Sequence, residues 1–196
     1  DIDGEIGVAT WAALFGKETV PKPTESTSKL MQKALEFAIS QIGVLERPPG
    51  SNKGKEVEEY LASVGLGGGF AWCMAFVHWC YNQAAKDLGI ANPVFKTGGV
   101  LKHWEEAGKK NISRLTTEQA RNKPSRILPG MVFVIDTGDP GGAGHTGFVE
   151  KVVGDTLVTI EGNTNLGGSR EGIGVFRRTA RKISSINKGF VDYSDF

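Results

Sequence analysis

The spacing of apolar residues changes near the middle of the chain, and this change constrains the fold more than any other feature. In the first half, apolar residues recur every three or four positions, as on one face of an α-helix. The first such series ends at Gly43 and comprises Leu30, Met31, Ala34, Leu35, Ala38, Ile39 and Ile42. In the second half, short β-branched runs bounded by glycine or aspartate span residues 131–135, 146–153, 156–160 and 173–178. Helices followed by antiparallel strands predict an α+β fold.

Local sequence patterns also predict three further helices and one hairpin. Helical spacing predicts a second helix from Val57 to Val64, a third from Cys73 to about residue 86, and a fourth over residues 100–107. The pair Gly154-Asp155 separates two strand runs and predicts a tight hairpin turn. Strands that pair symmetrically about this turn would place Val149 opposite Ile160, and Glu161 near Phe148.

The first 28 residues differ in character from the rest of the chain. Residues 17–28 combine Pro21 and Pro23 with serine and threonine and few apolar side chains, which predicts a linker. Residues 1–16 are too short to fold alone. They resemble the closing motif of a small three-helix peptidoglycan-binding domain, through Asp3, Gly4, Gly7, Thr10, Ala13 and Leu14. We expect a remnant of such a domain at 1–16, the linker at 17–28 and the main domain at 29–196.

Charge and hydropathy exclude two classes of function. The chain has 23 basic and 22 acidic residues and no basic cluster, so a nucleic-acid partner is not expected. It has no run of the roughly 18 apolar residues that a membrane helix needs, so a membrane span is not expected either. The chain begins at Asp1 without methionine, so an upstream segment is expected to have been removed or left out. We expect a monomer.

Both cysteines lie in the stretch from Phe70 to Cys80, which follows a glycine-rich run ending at Gly69. Helical spacing begins directly after that run, so Cys73 should lie in the first turn of a helix. The unpaired backbone N–H groups there stabilise a thiolate and make the sulfur a nucleophile. Cys73 and Cys80 would be roughly 10 Å apart along the helix. A disulfide needs less than about 7 Å between Cα atoms, so we expect the two cysteines not to pair.

A nucleophilic cysteine needs a base, and the chain has three histidines. His78 points roughly 140° away from Cys73 around the same helix and cannot reach its sulfur. His103 falls in a charged stretch and is expected to face solvent. His145 follows a glycine-rich segment and begins a strand, where the backbone can approach closely and the imidazole can reach a cleft. We therefore expect His145 to be the base.

The base in turn needs an orienting partner, and two polar residues end the strand that follows His145 along the chain. Glu161 would lie a short diagonal from His145, within reach if the strand bends. Asn163 is two positions further and would share a face with Glu161 if the strand runs on. Either residue could orient the imidazole.

Three motifs occur in the order and spacing of one known family. They are W-C-M-A-F-V-x-W-C at 72–80, G-H-T-G-F-V at 144–149 and E-G-N-T-N at 161–165. Together they resemble the CHAP family, the cysteine, histidine-dependent amidohydrolases and peptidases of peptidoglycan. The resemblance covers roughly residues 30–193. It implies a papain-like core of the NlpC/P60-CHAP type, with N-terminal helices packed on an antiparallel sheet, and a CHAP-like catalytic domain at 29–196.

The resemblance also implies roles for individual residues. Cys73 becomes the nucleophile, His145 the general base and later the acid, and Glu161 the residue that orients the imidazole. Asn163 is a further catalytic candidate, since an asparagine takes the orienting role in some members. Trp72 is the candidate for a substrate-binding side chain that lines the cleft. The oxyanion would be held by the Cys73 backbone N–H and a second donor that the sequence does not identify.

The chain departs from the family pattern at several positions. Met74 stands where a smaller alanine is common, and Met131 where an aspartate is frequent. Some phage members bind calcium through an acidic loop before the cysteine, but residues 65–71 carry no carboxylate. We therefore expect no metal and no cofactor. The nucleophile motif of NlpC/P60 enzymes, D-C-S-G, is not matched by the residues around Cys73.

The function expected from these motifs is hydrolysis of an amide bond in peptidoglycan. The bond could join muramic acid to L-alanine or lie within the stem or bridge peptide. We expect an extracytoplasmic location in the cell wall, or a phage-encoded lysin. Two alternatives stay open: a cell-wall-binding module without activity, and a thiol amidase that acts on a soluble peptide conjugate.

Overall fold

A computed structural model describes residues 28–139, 143–165 and 172–196. The helices are α1 (Lys29–Ser40), α2 (Lys55–Ser63), α3 (Cys73–Leu88), α4 (Val100–Lys109) and α5 (Thr117–Asn122). The strands are β1 (Ser113–Thr116), β2 (Val132–Asp136), β3 (Gly144–Val153), β4 (Thr156–Thr164), β5 (Gly174–Lys182) and β6 (Gly189–Asp192). Each of the four helices and four strands expected between residues 30 and 178 is present, and the predicted α+β class is confirmed.

The strands form one six-stranded antiparallel sheet in the order β1-β6-β2-β3-β4-β5. Strands β1 and β6 and helix α5 were not predicted from the sequence. Each has six residues or fewer, too few for a periodic signal to stand out. Strand β6 is defined instead by its neighbours, because it pairs with β1 on one side and with β2 on the other.

Helix α3 lies in the core and packs against β3 and β4. The ring of Phe76 meets Phe148 edge-on at 6.1 Å, and Tyr81 stacks on Phe148 at 5.6 Å. A Cβ added at Gly162 would lie 2.8 Å from side-chain carbons of both Phe76 and Trp72, so glycine allows the helix to approach β4 closely. This contact places the start of α3 beside the end of β4.

The β3-β4 hairpin turns at the predicted position, but its register differs from the symmetric one. Near the turn, Val153 pairs with Thr156 and Lys151 with Val158. The register then shifts by one residue, so Val149 pairs with Thr159 rather than with Ile160. Glu150 is the extra residue of this β-bulge. Side chains alternate between the two faces of a strand, so one extra residue changes which β3 and β4 side chains share a face beyond the bulge.

The predicted remnant of a binding domain and almost all of the predicted linker fall on residues 1–27, outside the described part of the chain. The proposed domain boundaries therefore stay a prediction. Within the described residues, none of the helices combines the length and apolar character that crossing a bilayer requires.

Candidate active site

Cys73 is the first residue of α3, as predicted, and its side chain is almost completely buried. Its Sγ atom lies 4.0 Å from the carbonyl oxygen of Gly144, at the start of β3. The first N–H groups of a helix have no acceptor within the helix, so they favour negative charge at this position. Cys73 and Cys80 are both free, as expected, and Cys80 is a fully buried core residue.

His145 is the second residue of β3, and its imidazole lies between the helix start and the next strand. Its Nε2 atom lies 2.7 Å from Oε2 of Glu161, and its ring packs against Phe133 at 5.9 Å. Its Nδ1 atom is buried and, among the described residues, has no partner at normal hydrogen-bond geometry. This nitrogen is the one left for the thiol of Cys73, which contributes to raising the pKa of the ring.

The charges of these three residues are coupled. Burial disfavours the imidazolium, but the nearby thiol of Cys73 and the hydrogen-bonded carboxylate of Glu161 outweigh burial and raise the pKa of His145 to about 9. Burial likewise disfavours the carboxylate, but hydrogen bonds and positive charge from His145 and Arg181 lower the pKa of Glu161 to about 2. Both shifts favour a protonated His145 paired with an ionised Glu161.

Two residues that the sequence did not single out hold the carboxylate of Glu161. The hydroxyl of Thr159 donates to Oε1 at 2.6 Å. Arg181 donates from Nε to Oε1 and from Nη2 to Oε2, both at 2.6 Å. Thr159 was detectable in principle, since it lies two positions before Glu161 on the same strand. Arg181 was not, because β5 pairs with β4 through an irregular register.

Asn163 lies away from the position expected for it. Its φ of +52° is in the left-handed region, and the pairing of β4 with β5 is irregular between Glu161 and Thr164. We assign the Asn163 side-chain amide in the orientation that gives both of its polar atoms a hydrogen-bond partner. In that orientation, Nδ2 donates to the Gly172 carbonyl at 3.0 Å and Oδ1 accepts from the Trp72 N–H at 3.2 Å. Both polar atoms thus bind backbone groups rather than the imidazole.

The structure corrects the expectation that Trp72 lines a cleft. The side chain of Trp72 is 0% exposed and packs against Tyr60 and Phe76 at ring distances of 5.6 and 6.4 Å. Its Nε1 atom donates to Oε1 of Glu46 at 2.8 Å. The carboxylate of Glu46 also accepts from the Asn52 N–H at 3.1 Å. Trp72 therefore anchors the loop that contains Asn52 to the start of α3.

The other two histidines are buried and belong to separate polar contacts. His78 lies on α3, as expected, and its Nδ1 atom is 3.0 Å from the hydroxyl of Ser63. The expectation that His103 faces solvent is wrong: it is fully buried, with Nε2 2.7 Å from the Tyr193 hydroxyl. The charged residues next to His103 in sequence project from α4 in other directions, because neighbouring helical residues are about 100° apart.

Within residues 28–139, 143–165 and 172–196, the histidines, cysteines and carboxylates do not form a group of three or more that could hold a metal ion. The side chains around Cys73 suit covalent and acid–base chemistry instead. A sulfur nucleophile at a helix start, an imidazole and a buried carboxylate are the parts that nucleophilic catalysis requires.

Comparison with known proteins places the sequence in a family. The sequence profile of the CHAP domain matches residues 65–163, just over half of the 196-residue chain. The matched segment includes Cys73, His145, Glu161 and Asn163. No curated protein and no solved structure gives a match. CHAP domains are associated with amidase or peptidase activity on peptidoglycan. The chain belongs to the CHAP domain family.

Proposed function

We propose that this protein hydrolyses an amide bond of peptidoglycan by a thiol mechanism. The observation that carries the proposal is the position of His145, which hydrogen-bonds Glu161 at 2.7 Å and directly follows Gly144, whose carbonyl oxygen lies 4.0 Å from the sulfur of Cys73. In this mechanism, Cys73 is the nucleophile, His145 is the acid and base, and Glu161 orients the imidazole.

The reaction would proceed in two stages. The Cys73 thiolate attacks the amide carbonyl carbon and forms a C–S bond, while the π electrons of the C=O bond move to oxygen. His145 gives its proton to the departing nitrogen, the C–N bond breaks, and a thioester remains. Water then attacks the thioester while His145 takes its proton, and the thiolate leaves.

The start of α3 offers one donor for the negative oxygen formed in each stage. The backbone N–H of Cys73 belongs to the first helical turn, where N–H groups have no acceptor within the helix. A donor at this position belongs to the same residue as the sulfur that would bond the carbonyl carbon, and the helix dipole adds to its effect.

We propose that Asn163 acts as a positioning residue rather than through the imidazole. Its amide joins the Trp72 N–H, directly before Cys73, to the Gly172 carbonyl. It thereby holds the start of α3 against the end of β4, the strand that carries Glu161. The distance between nucleophile and base depends on this contact, and small displacements of reacting groups are costly for rate.

Peptidoglycan lies outside the cytoplasmic membrane of bacteria, so we propose that the protein acts in the cell wall. It would reach the wall as a secreted enzyme or as a phage-encoded lysin. The proposed active form is a single chain, since each of the proposed catalytic residues comes from that chain.

The decisive experiment compares three proteins on purified sacculi. Wild type and Cys80→Ala are expected to reduce turbidity, whereas Cys73→Ala is expected to leave it unchanged. Cys80 lies on the same helix but is a buried core residue, so its variant controls for general damage to α3. Full lysis by Cys73→Ala would overturn the proposed mechanism.

Mass spectrometry of the soluble products identifies the bond. A new free amine on alanine at the muramic acid junction indicates an amidase, and one within the stem or bridge peptide indicates an endopeptidase. Sedimentation of wild type with sacculi, without any released product, would overturn hydrolysis and favour a binding module.

A further inference from the structure

Arg181 supplies a positive charge next to Glu161, and most of its side chain is shielded from solvent. Its guanidinium binds both oxygens of Glu161 at 2.6 Å in the bidentate geometry that suits a carboxylate. It also lies over the ring of Phe133 at 5.0 Å, and the same ring packs against His145. The Arg181 side chain is 11% exposed and that of Glu161 is 0% exposed, so water screens their interaction weakly.

Positive and negative groups alternate in space between Arg181 on β5 and Cys73 on α3. The charged or titratable groups that meet at His145 are Cys73 from α3 and Glu161 from β4, with Arg181 from β5 behind Glu161. Strand β2 contributes the neutral ring of Phe133. With Cys73 as a thiolate and His145 protonated, the four groups sum to zero net charge.

Removing Arg181 would change the balance of charge around His145. The remaining groups would be a carboxylate, an imidazolium and a thiolate, with a net charge of −1 in a buried site. The thiolate would then face an uncompensated carboxylate behind the imidazolium, which makes the ionised sulfur less favourable. The imidazolium would lose the repulsion of a nearby cation, so it would keep its proton to higher pH.

We propose that Arg181 is a positioning residue of the reaction: by neutralising Glu161 it leaves the Cys73 thiolate as the counter-ion of His145 and sets the pH range in which this ion pair exists. This role rests on the proposed function, since it assigns the thiolate as the reagent.

A second ion pair on the same strand provides a comparison. Arg177 binds Glu150 with the same bidentate geometry, at 2.8 and 3.1 Å. Its side chain is 35% exposed, and its partner carboxylate belongs to the β-bulge rather than to His145. Arg177 therefore matches Arg181 in residue type, strand and partner type, but not in contact with the site.

The test measures how fast iodoacetamide alkylates Cys73 as a function of pH, in wild type, Arg181→Gln, Arg181→Lys and Arg177→Gln. For Arg181→Gln, we expect the pH of half-maximal alkylation to rise by about one unit, as expected for loss of a unit charge near a buried site. Arg181→Lys keeps the charge and should stay within a few tenths of a unit of wild type, although it loses the bidentate fork. Arg177→Gln should not shift the midpoint.

The lysis rate of sacculi over the same pH range gives a second readout. A reaction that needs a thiolate and a protonated imidazole has a bell-shaped pH profile, and both of its limbs should move to higher pH in Arg181→Gln. In Arg181→Lys, the rate should fall while both limbs stay in place. A lower rate without a shift in Arg181→Gln would mean that Arg181 is merely structural and would overturn the proposal, as would an unchanged profile.

NMR titration of the His145 ring separates this proposal from the proposed function. The ring should deprotonate at higher pH in Arg181→Gln than in wild type, whether or not sacculi are hydrolysed. If wild type releases no product but the alkylation and NMR midpoints shift as expected, the proposed substrate is wrong and the role of Arg181 stands. If Arg181→Gln does not fold, a shift of the midpoint by one unit in Arg181→Lys would overturn the proposal.

Discussion

The carboxylate of Glu161 reaches His145 because the register of the β3-β4 hairpin shifts by one residue at Glu150. Without the bulge, Glu161 would lie opposite Phe148, whose ring packs against α3. Continuing the shifted register places Glu161 opposite Gly147, two residues from His145 and on the same face of the strand. A Cβ added at Gly147 would lie 3.0 Å from Cγ of Glu161, which agrees with this register.

Replacing Glu161 with glutamine should impair catalysis and change its pH dependence. The carboxylate contributes to raising the pKa of His145 to about 9, so its loss should move the alkaline limb of activity to lower pH. We expect a loss of about 10²–10⁴-fold in kcat/KM, the range for a general acid–base function. Glu150→Gln, which alters a carboxylate bound by Arg177, should leave the limb in place. An unchanged alkaline limb in Glu161→Gln would contradict the assigned role.

The two thiols should differ sharply in reactivity. Brief exposure of the native protein to iodoacetamide at neutral pH should modify Cys73 and spare Cys80, as read by peptide mass spectrometry. Burial raises the pKa of the Cys80 thiol well above its ordinary value and removes it from solvent. In denaturant, both should react. Native labelling of Cys80 before Cys73 would argue against the proposed nucleophile.

Gly147→Ala should damage the site through the carboxylate of Glu161. The new Cβ would lie 2.6 Å from the Ile160 carbonyl oxygen and 3.0 Å from Cγ of Glu161. We expect a destabilisation of about 1–3 kcal/mol, typical of overpacking, and a clear loss of lysis. Gly67→Ala is the control, because a Cβ at Gly67 has no described neighbour within 4 Å. Thermal unfolding and turbidity should be measured on both variants. Equal melting temperatures and lysis rates would refute the close packing of Gly147 against β4.

Acid should destabilise the fold through its buried histidines. Burial lowers the pKa of His78 and of His103 from an ordinary 6.5 to about 4, and the charge of Lys96 adds to the effect at His78. Their stabilising contribution is complete above pH 6.5 and is lost as the pH falls through about 4. In His103→Gln, the pH slope of the unfolding free energy in this range should fall by about 1 kcal/mol per pH unit. Denaturant unfolding at several pH values measures this slope. A slope equal to that of wild type would contradict burial of a neutral His103.

Trp72→Phe should affect stability more than substrate affinity. The variant leaves Glu46 without the 2.8 Å hydrogen bond from Nε1, and a buried acceptor deprived of its partner costs about 1–3 kcal/mol. The concentration of sacculi at half-maximal rate should stay unchanged, because the side chain has no exposed surface to bind substrate. A large rise in that concentration with normal stability would restore Trp72 as a substrate-binding residue.

The sequence by itself determined the α+β class, four helices, four strands and the placement of Cys73 at the start of a helix. These features depend on local periodicity and on glycine positions, which act over a few residues. His145 and Glu161 were also identified as partners from the sequence, but the register proposed for them was off by one residue. The contacts of Asn163, the burial of Trp72 and the burial of His103 could not be inferred from local pattern.

Only the tertiary structure decided which groups surround the carboxylate of Glu161. A bulge of one residue selects the face of the strand that Glu161 occupies, and an irregular pairing with β5 brings in Arg181. Neither irregularity leaves a periodic signal, because each results from packing between strands rather than from the preference of a local segment. The alternating charges of the site are therefore a property of strands far apart in sequence, held together by a shared core.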